Sequence, residues 1–469
     1  MATRPHEREP TPSESVRPSP SAFRTEAGAL LELAWPLALS LVGSTLQGFV
    51  ATALVGRVDA TELAGVALGN GIFFTVSITA AGVVFGMDPL VAQALGAGEG
   101  ARARAILRSG LRLSIALATL ATLALVVAPY ALPLAGIAAG TTAAARRFLW
   151  ARAPGAVPLV VLITLRSYLQ ARHATRPIVL SALVANLVNV VLAVPLVLGD
   201  RGLAWVGIGP LGLEGLGAEG AGIASAIATA AQLGVVALGV RALGPAPGGG
   251  SLDVPLRSLL RLGLPIGLTV LAEVGAFTVA GILAGRIGPE TAAGHQVAIS
   301  VASLTFTASM AIGDATSVRV GMAVGKGDAR LARRAGFAGL AITTAWMSFT
   351  AIVFLVFGGA IARLATDRDE VLAVAIPLMA VAAAFQLSDG AQVVGAGALR
   401  GLGDTRPAQW ANLVGYYVIG LPLAWYLAFV RGLGASGLWW GLSAGLTVVA
   451  VTLVARFERM SRGPVSRAE

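Results

Sequence analysis

Two acidic residues, Glu273 and Asp389, lie deep inside long apolar runs. No other charge falls between Arg261 and Arg286, so along a helix each arginine is roughly 18 Å from Glu273. Asp389 sits within Phe385-Gln386-Leu387-Ser388-Asp389-Gly390, with Arg400 roughly 16 Å further along the axis. A charged side chain at the centre of a membrane helix costs about 2.5–3.5 kcal/mol on insertion scales. Neither acid can be neutralised within its own helix. Carboxylates so placed can bind and release a coupling cation, a proton or a sodium ion. The plain alternative is a protonated carboxyl bonded to a neighbouring backbone group. If sodium is the ion, Glu273 and Asp389 are its metal ligands.

Other polar residues are less isolated. Asp314 lies five residues before Arg319, which suits an interfacial ion pair as well as it suits function. Asp88 precedes Pro89 and reads as the partner of a helix kink. Asn186 and Asn189 interrupt an apolar run, where asparagine commonly bridges helices. Gln47, Asn189, Asp314, Phe385 and Tyr416 are the candidates for lining a substrate cavity.

The elements that must position these groups are membrane helices. The chain is 56% hydrophobic and 12% charged, with a mean hydropathy of +0.79. That excludes an ordinary soluble globule. About 20 apolar residues span a bilayer as a helix, and twelve such stretches occur. They lie near 28–55, 64–95, 106–132, 146–170, 177–199, 219–243, 256–284, 293–322, 335–362, 371–398, 407–430 and 434–457. With its backbone satisfied inside each span, the fold is expected to be an all-α membrane bundle.

The two halves repeat the same punctuation 229 residues apart. Pro36 falls on Pro265, Gly56-Arg57 on Gly285-Arg286, and Gly96-Ala97-Gly98-Glu99 on Gly325-Lys326-Gly327-Asp328. With one residue of slippage, Thr175-Arg176-Pro177 falls on Thr405-Arg406-Pro407. Glu273 falls opposite Ser44, so the acid belongs to one copy only. Six spans per half insert both halves with the same orientation, related by a pseudo-twofold axis along the membrane normal. The expected organisation is a disordered cytoplasmic tail over 1–27, an N-lobe of helices 1–6 over 28–243, and a cytoplasmic linker over 244–255. A C-lobe of helices 7–12 over 256–458 and a cytoplasmic tail over 459–469 complete it. The outer loop 200–220, with Trp205 and three acids, is expected to cap the external mouth.

Of the 34 Lys and Arg, 25 fall in the tails and even-numbered junctions and nine on the opposite side. The positive-inside rule then puts both termini in the cytoplasm of a bacterial-type inner membrane. The net charge of +10 is a topology signal and a contact for anionic lipid, not a nucleic-acid footprint. With no cysteine and only His6, His173 and His295, neither a thiolate nor a zinc site is expected, and no cofactor. Enzyme-like patterns fail. Gly321 to Lys326 lacks the Ser or Thr and the preceding strand of a phosphate loop. Gly401-Leu402-Gly403-Asp404 has no second Asp at matching depth, and Asp404 reads as a helix cap.

Residues 385–392, the run Gly397-Ala398-Leu399-Arg400-Gly401-Leu402-Gly403-Asp404-Thr405-Arg406-Pro407, Gly263-Leu264-Pro265 followed by Glu273, and Val318-Arg319-Val320-Gly321 carry a resemblance. The chain resembles the multidrug and toxic compound extrusion (MATE) transporters, in particular the NorM-type branch, over roughly 28–458. The resemblance implies two six-helix lobes and export of amphipathic, often cationic compounds driven by sodium or proton entry. It also implies a monomer in the lipid bilayer, with Glu273 and Asp389 at the family's C-lobe acids. This chain departs from the pattern in the N-lobe, where Ala51 and Ala193 stand at positions that hold acids in some members. Phe385 replaces a Tyr that some members carry. The alternatives are a major facilitator-type exporter, a lipid-linked precursor flippase and, more distantly, an intramembrane enzyme.

Overall fold

A computed structural model describes residues 20–205, 207–244 and 253–468. Among these residues there is no strand, and twelve helices are long and apolar enough to cross a membrane. They are α1 (Phe23–Val55), α2 (Ala60–Gly96), α3 (Gly100–Ala131), α4 (Ala139–Ala171), α5 (Arg176–Leu198) and α6 (Ala218–Ala242) in the first half. The second half holds α7 (Leu256–Ile287), α8 (Pro289–Gly325), α9 (Ala329–Ala365), α10 (Asp369–Leu402), α11 (Arg406–Val430) and α12 (Gly434–Met460). In the first lobe α5 packs on α6 and α1, and α2 on α4. In the second lobe α10 is central, packed on α8, α9 and α12.

The first helix begins at Pro20, ahead of the expected boundary at 28, so the tail expected over 1–27 is helical from residue 20 onward. Residues 1–19 lie outside the described residues. A fork of charge-assisted bonds anchors this start. Arg319 Nε and Nη2 donate to the two oxygens of the buried Glu26, each at 2.7 Å. Most of the expected linker, 245–252, also lies outside the described residues. The segment just before α7 is tied to α3: Ser109 Oγ donates to the Val254 carbonyl at 2.7 Å, and Arg112 pairs with Asp253 at 3.2 Å. The C-terminal segment is tied down as well, with Arg467 on Glu99 at 2.5 Å and the Ala468 N–H on Gln93 at 2.8 Å.

The duplicated Gly-x-Gly-acid motif has one use per position. A Cβ on Gly96 would overlap the Met322 carbonyl, and a Cβ on Gly325 would overlap the Gln93 carbonyl. Met322 and Gln93 are themselves 229 residues apart, so each repeat makes the same contact on the other. That reciprocity is what a twofold relation between the lobes requires. The second glycines, Gly98 and Gly327, turn the chain with φ of 77° and 73°. Asp328 then caps α9 by accepting from the Leu331 N–H at 2.8 Å, whereas Glu99 pairs with Arg467 instead. Asp404 is not the expected cap either. It accepts from Arg456 Nε at 2.6 Å, and the start of α11 has no side-chain cap.

The polar ties between the lobes lie toward the face that carries the basic junctions, here the basic face. Among the described residues they include Glu26–Arg319, Gln93 Nε2 on the Gly401 carbonyl at 3.0 Å, Glu99–Arg467 and a buried cluster of charges around Arg400. In the same half, α2 and α7 meet backbone to backbone, where a Cβ on Gly263 would overlap the Val83 carbonyl. At the opposite face the 200–220 loop is pinned to its own lobe. The Leu216 N–H donates to the Leu196 carbonyl at 2.8 Å, and Arg57 stacks on Trp205 at 4.8 Å.

Candidate functional site

Glu273 on α7 and Asp389 on α10 come together inside the second lobe. Asp389 is 5% exposed, Glu273 is half-buried, and Asp389 lies within range of the Glu273 charge. Two like charges so placed favour uptake of a proton or of a bound cation. Gln392, one turn beyond Asp389 on the same helix, lies within side-chain hydrogen-bonding reach of Glu273. Its Oε1 has no partner. Tyr416 on α11 is fully buried near both acids, and its hydroxyl has no partner either. The site therefore offers four oxygen-bearing side chains with unused capacity: Glu273, Asp389, Gln392 and Tyr416.

The local backbone explains how Tyr416 reaches this point. Leu413–Gly420 winds with wider π-helical turns, a form frequent at functional sites. On the next residue, Tyr417 Oη donates to the Ala272 carbonyl beside Glu273 at 3.0 Å, which fixes α11 against α7. Around the acids stands an aromatic wall. Phe277 meets Phe385 and Tyr416 edge-on, each at 6.0 Å between ring centres, and Phe385 meets Trp439 at 5.6 Å. Trp439 Nε1 donates to His295 Nδ1 at 3.1 Å, so the wall is itself held by a hydrogen bond. Phe385 lies one turn before Asp389 and packs in this wall.

Asp314 is placed elsewhere. Its expected neighbour Arg319 is taken by Glu26, and Asp314 instead accepts from Arg400 Nη2 at 2.7 Å. Arg166 of the first lobe approaches its other oxygen at 3.9 Å. Arg400 also faces Asp88 of the first lobe at 3.8 Å and donates through Nε to Ser317 Oγ at 3.2 Å. This cluster of two acids and two arginines joins the lobes about 16 Å along α10 from Asp389. Asp88 lies in the first turn after the break in α2 between Val84 and Met87, and it also forms an ion pair across the lobes.

The first lobe presents a different surface. Gln47 is buried on α1. Asn189 on α5 is buried, with Nδ2 at 3.4 Å from Ser225 Oγ on α6 and Oδ1 unpartnered. Asn186 bonds back to the Ala182 carbonyl at 2.8 Å and packs under Gly43. Ser44, which falls opposite Glu273 in the repeat, likewise bonds back to the Ser40 carbonyl at 3.2 Å. Ala51 and Ala193 are buried, 2% and 1% exposed. Sequence reasoning missed Gln392 and the Arg166–Arg400 cluster. The signal for Gln392 was its spacing of three from Asp389, which puts both on one helix face.

The fold and this site define a two-lobe helical membrane transporter. A MatE family model matches residues 36–194 and 265–426, and the chain belongs to that family, a family of transporters and not of enzymes. It is 37% identical to the probable multidrug resistance protein NorM of Deinococcus radiodurans, over 94% of this chain and 97% of the relative. It is also 37% identical to that of Xanthomonas axonopodis pv. citri, over 94% and 95%. Among solved structures, the eukaryotic MATE transporter AtDTX14 superposes with a TM-score of 0.81 at 22% identity, over 94% of this chain and 98% of that one. A MATE structure in the straight conformation gives 0.83 at 18% identity, over 93% and 96%. Membership of this family sets aside the major facilitator and enzyme alternatives.

Proposed function

We propose that the chain is a cation-coupled antiporter that exports amphipathic, often cationic drugs or metabolites by alternating access. Sodium ions or protons entering the cell bind the pocket of Glu273, Asp389, Gln392 and Tyr416. The observation that carries this reading is the meeting of two carboxylates with two unpartnered polar oxygens inside one lobe. The names of the relatives, multidrug resistance proteins, support the substrate class.

Coupling arises from competition. A cationic substrate and the coupling ion both seek the same negative charge, and the partly exposed Phe277 suits the apolar part of the substrate. Ion binding therefore favours substrate release, and differential affinity for the two facing states moves the equilibrium. With Ala51 and Ala193 in the first lobe, ion coupling rests on the second. Gln47 and Asn189 contribute neutral polar contacts across the cleft. The lobe boundaries at 28–243 and 256–458 match the repeat, and the transporter works as a monomer, since one chain supplies both lobes. The basic face is the cytoplasmic one, in contact with anionic lipid of the plasma membrane, so reporter fusions after residue 250 and at the C-terminus both read cytoplasm.

Efflux of a fluorescent dye from everted vesicles, with sodium and proton gradients imposed separately, tests the proposal. One gradient drives export in the wild type, and Glu273→Gln or Asp389→Asn abolishes it at unchanged expression. Full transport by the double amide variant sinks the assignment.

A further inference from the structure

A lone guanidinium sits in the first lobe. Arg152 on α4 is half-buried, and its Nε and Nη1 are enclosed without any hydrogen-bond partner. Its guanidinium carbon lies 4.2 Å from the ring centre of Phe73 on α2. Among the described residues no carboxylate forms an ion pair with it. Arginine stays charged in any protein environment. Stacking on Phe73 offsets part of its burial and uses none of its N–H donors.

A further polar group on this face is also unpartnered. Ser77 on α2, one turn beyond Phe73, has a buried hydroxyl with no partner. A cation placed only for packing would leave its polar neighbours bonded to it or to one another. Here both remain unfilled.

We propose that Arg152, helped by Ser77, recognises an anionic group of the substrate, a carboxylate lying beside an aromatic or apolar body. The proposal deepens the export reading and rests on it. A zwitterionic amphiphile would place its cationic end at Glu273 and Asp389 of one lobe and its carboxylate at Arg152 of the other. The planar guanidinium suits a carboxylate, and the Phe73 face beside it suits the ring that bears the carboxylate. The transporter then accepts cations and zwitterions by different contacts, and Arg152 sets the preference between them.

A matched dye pair separates the contributions: rhodamine 123, a cationic methyl ester, and rhodamine 110, its free acid. Binding to the full-length protein in detergent is read by fluorescence anisotropy. Wild-type protein binds both. Arg152→Gln weakens the free acid about tenfold or more and leaves the ester within about twofold. Arg152→Lys restores part of the loss, and Ser77→Ala weakens the free acid alone by about threefold. Equal weakening of both dyes by Arg152→Gln, or an unchanged affinity for the acid, overturns the proposal. Should Arg152→Gln fail to fold, the lysine and Ser77 variants give the same discrimination. Glu273→Gln is the control for the export reading. If it weakens the ester while Arg152→Gln leaves the acid unaffected, only the role of Arg152 falls. Wild-type protein that binds neither dye counts against both.

Discussion

Arg400 and Asp88 face each other across the two lobes, Nη1 to Oδ2, at 3.8 Å. The lobes cannot part at the basic face without separating this pair, together with Arg166 from Asp314. Arg400 keeps Asp314 as a partner within its own lobe at 2.7 Å, so it remains neutralised when the lobes open. Opening strips the buried Asp88 of this pair while Arg400 keeps a partner, so the cluster favours closure.

Removing the Asp88 charge is expected to shift the balance toward an open basic face by about tenfold. The chain has no cysteine, so spin labels at Ala97→Cys and Lys326→Cys report that face without background. In the wild type the distance between them has one short population. Asp88→Asn adds a longer one, and an unchanged distribution contradicts a latch.

Tyr416 gives a second test. Its hydroxyl is buried without a partner, so Tyr416→Phe removes no bond and relieves a desolvated group. Thermal stability is expected to hold or rise by a few degrees, while the cation concentration for half-maximal efflux rises about three- to tenfold. Lower stability with unchanged cation dependence would make the hydroxyl structural.

Much of this arrangement was legible in the residues. Long apolar runs disclosed the twelve helices, and Glu273 and Asp389 stood out because nothing within their own helices could neutralise them. What stayed hidden depends on contacts between helices. Asp314 reads locally as a neighbour of Arg319, yet Glu26 claims that arginine from the far end of the chain. Tyr416 is legible as a cavity candidate, but its place near both acids, on the π-helical turns of α11, depends on how α11 packs. The helical start at Pro20 was masked by a polar composition that only the Glu26–Arg319 fork makes sense of.

The outer loop predicts a pH response. Asp200 accepts from the N–H groups of Leu211 and Gly212 at 3.0 Å and of Leu213 at 3.2 Å. These bonds, that of Leu211 foremost, hold its carboxyl below the ordinary value of 3.8. A lowered folded-state pKa gives stabilisation that is complete above the ordinary value and lost as pH falls through the lowered one. Hydrogen-exchange protection of residues 211–213 is therefore expected to stay level from neutral pH down to about 5 and to fall only in stronger acid. Asp200→Asn loses protection already at neutral pH. Protection that declines between neutral pH and 5 would contradict the assignment.

The central claim is that substrate and coupling cation compete for Glu273 and Asp389. Its most direct test is dye binding to purified protein across a series of sodium concentrations and pH. In the wild type, affinity for a cationic dye falls as the coupling ion rises, and in the Glu273→Gln, Asp389→Asn double variant that dependence disappears. Wild-type affinity indifferent to both ions, in protein competent for transport, would contradict the account.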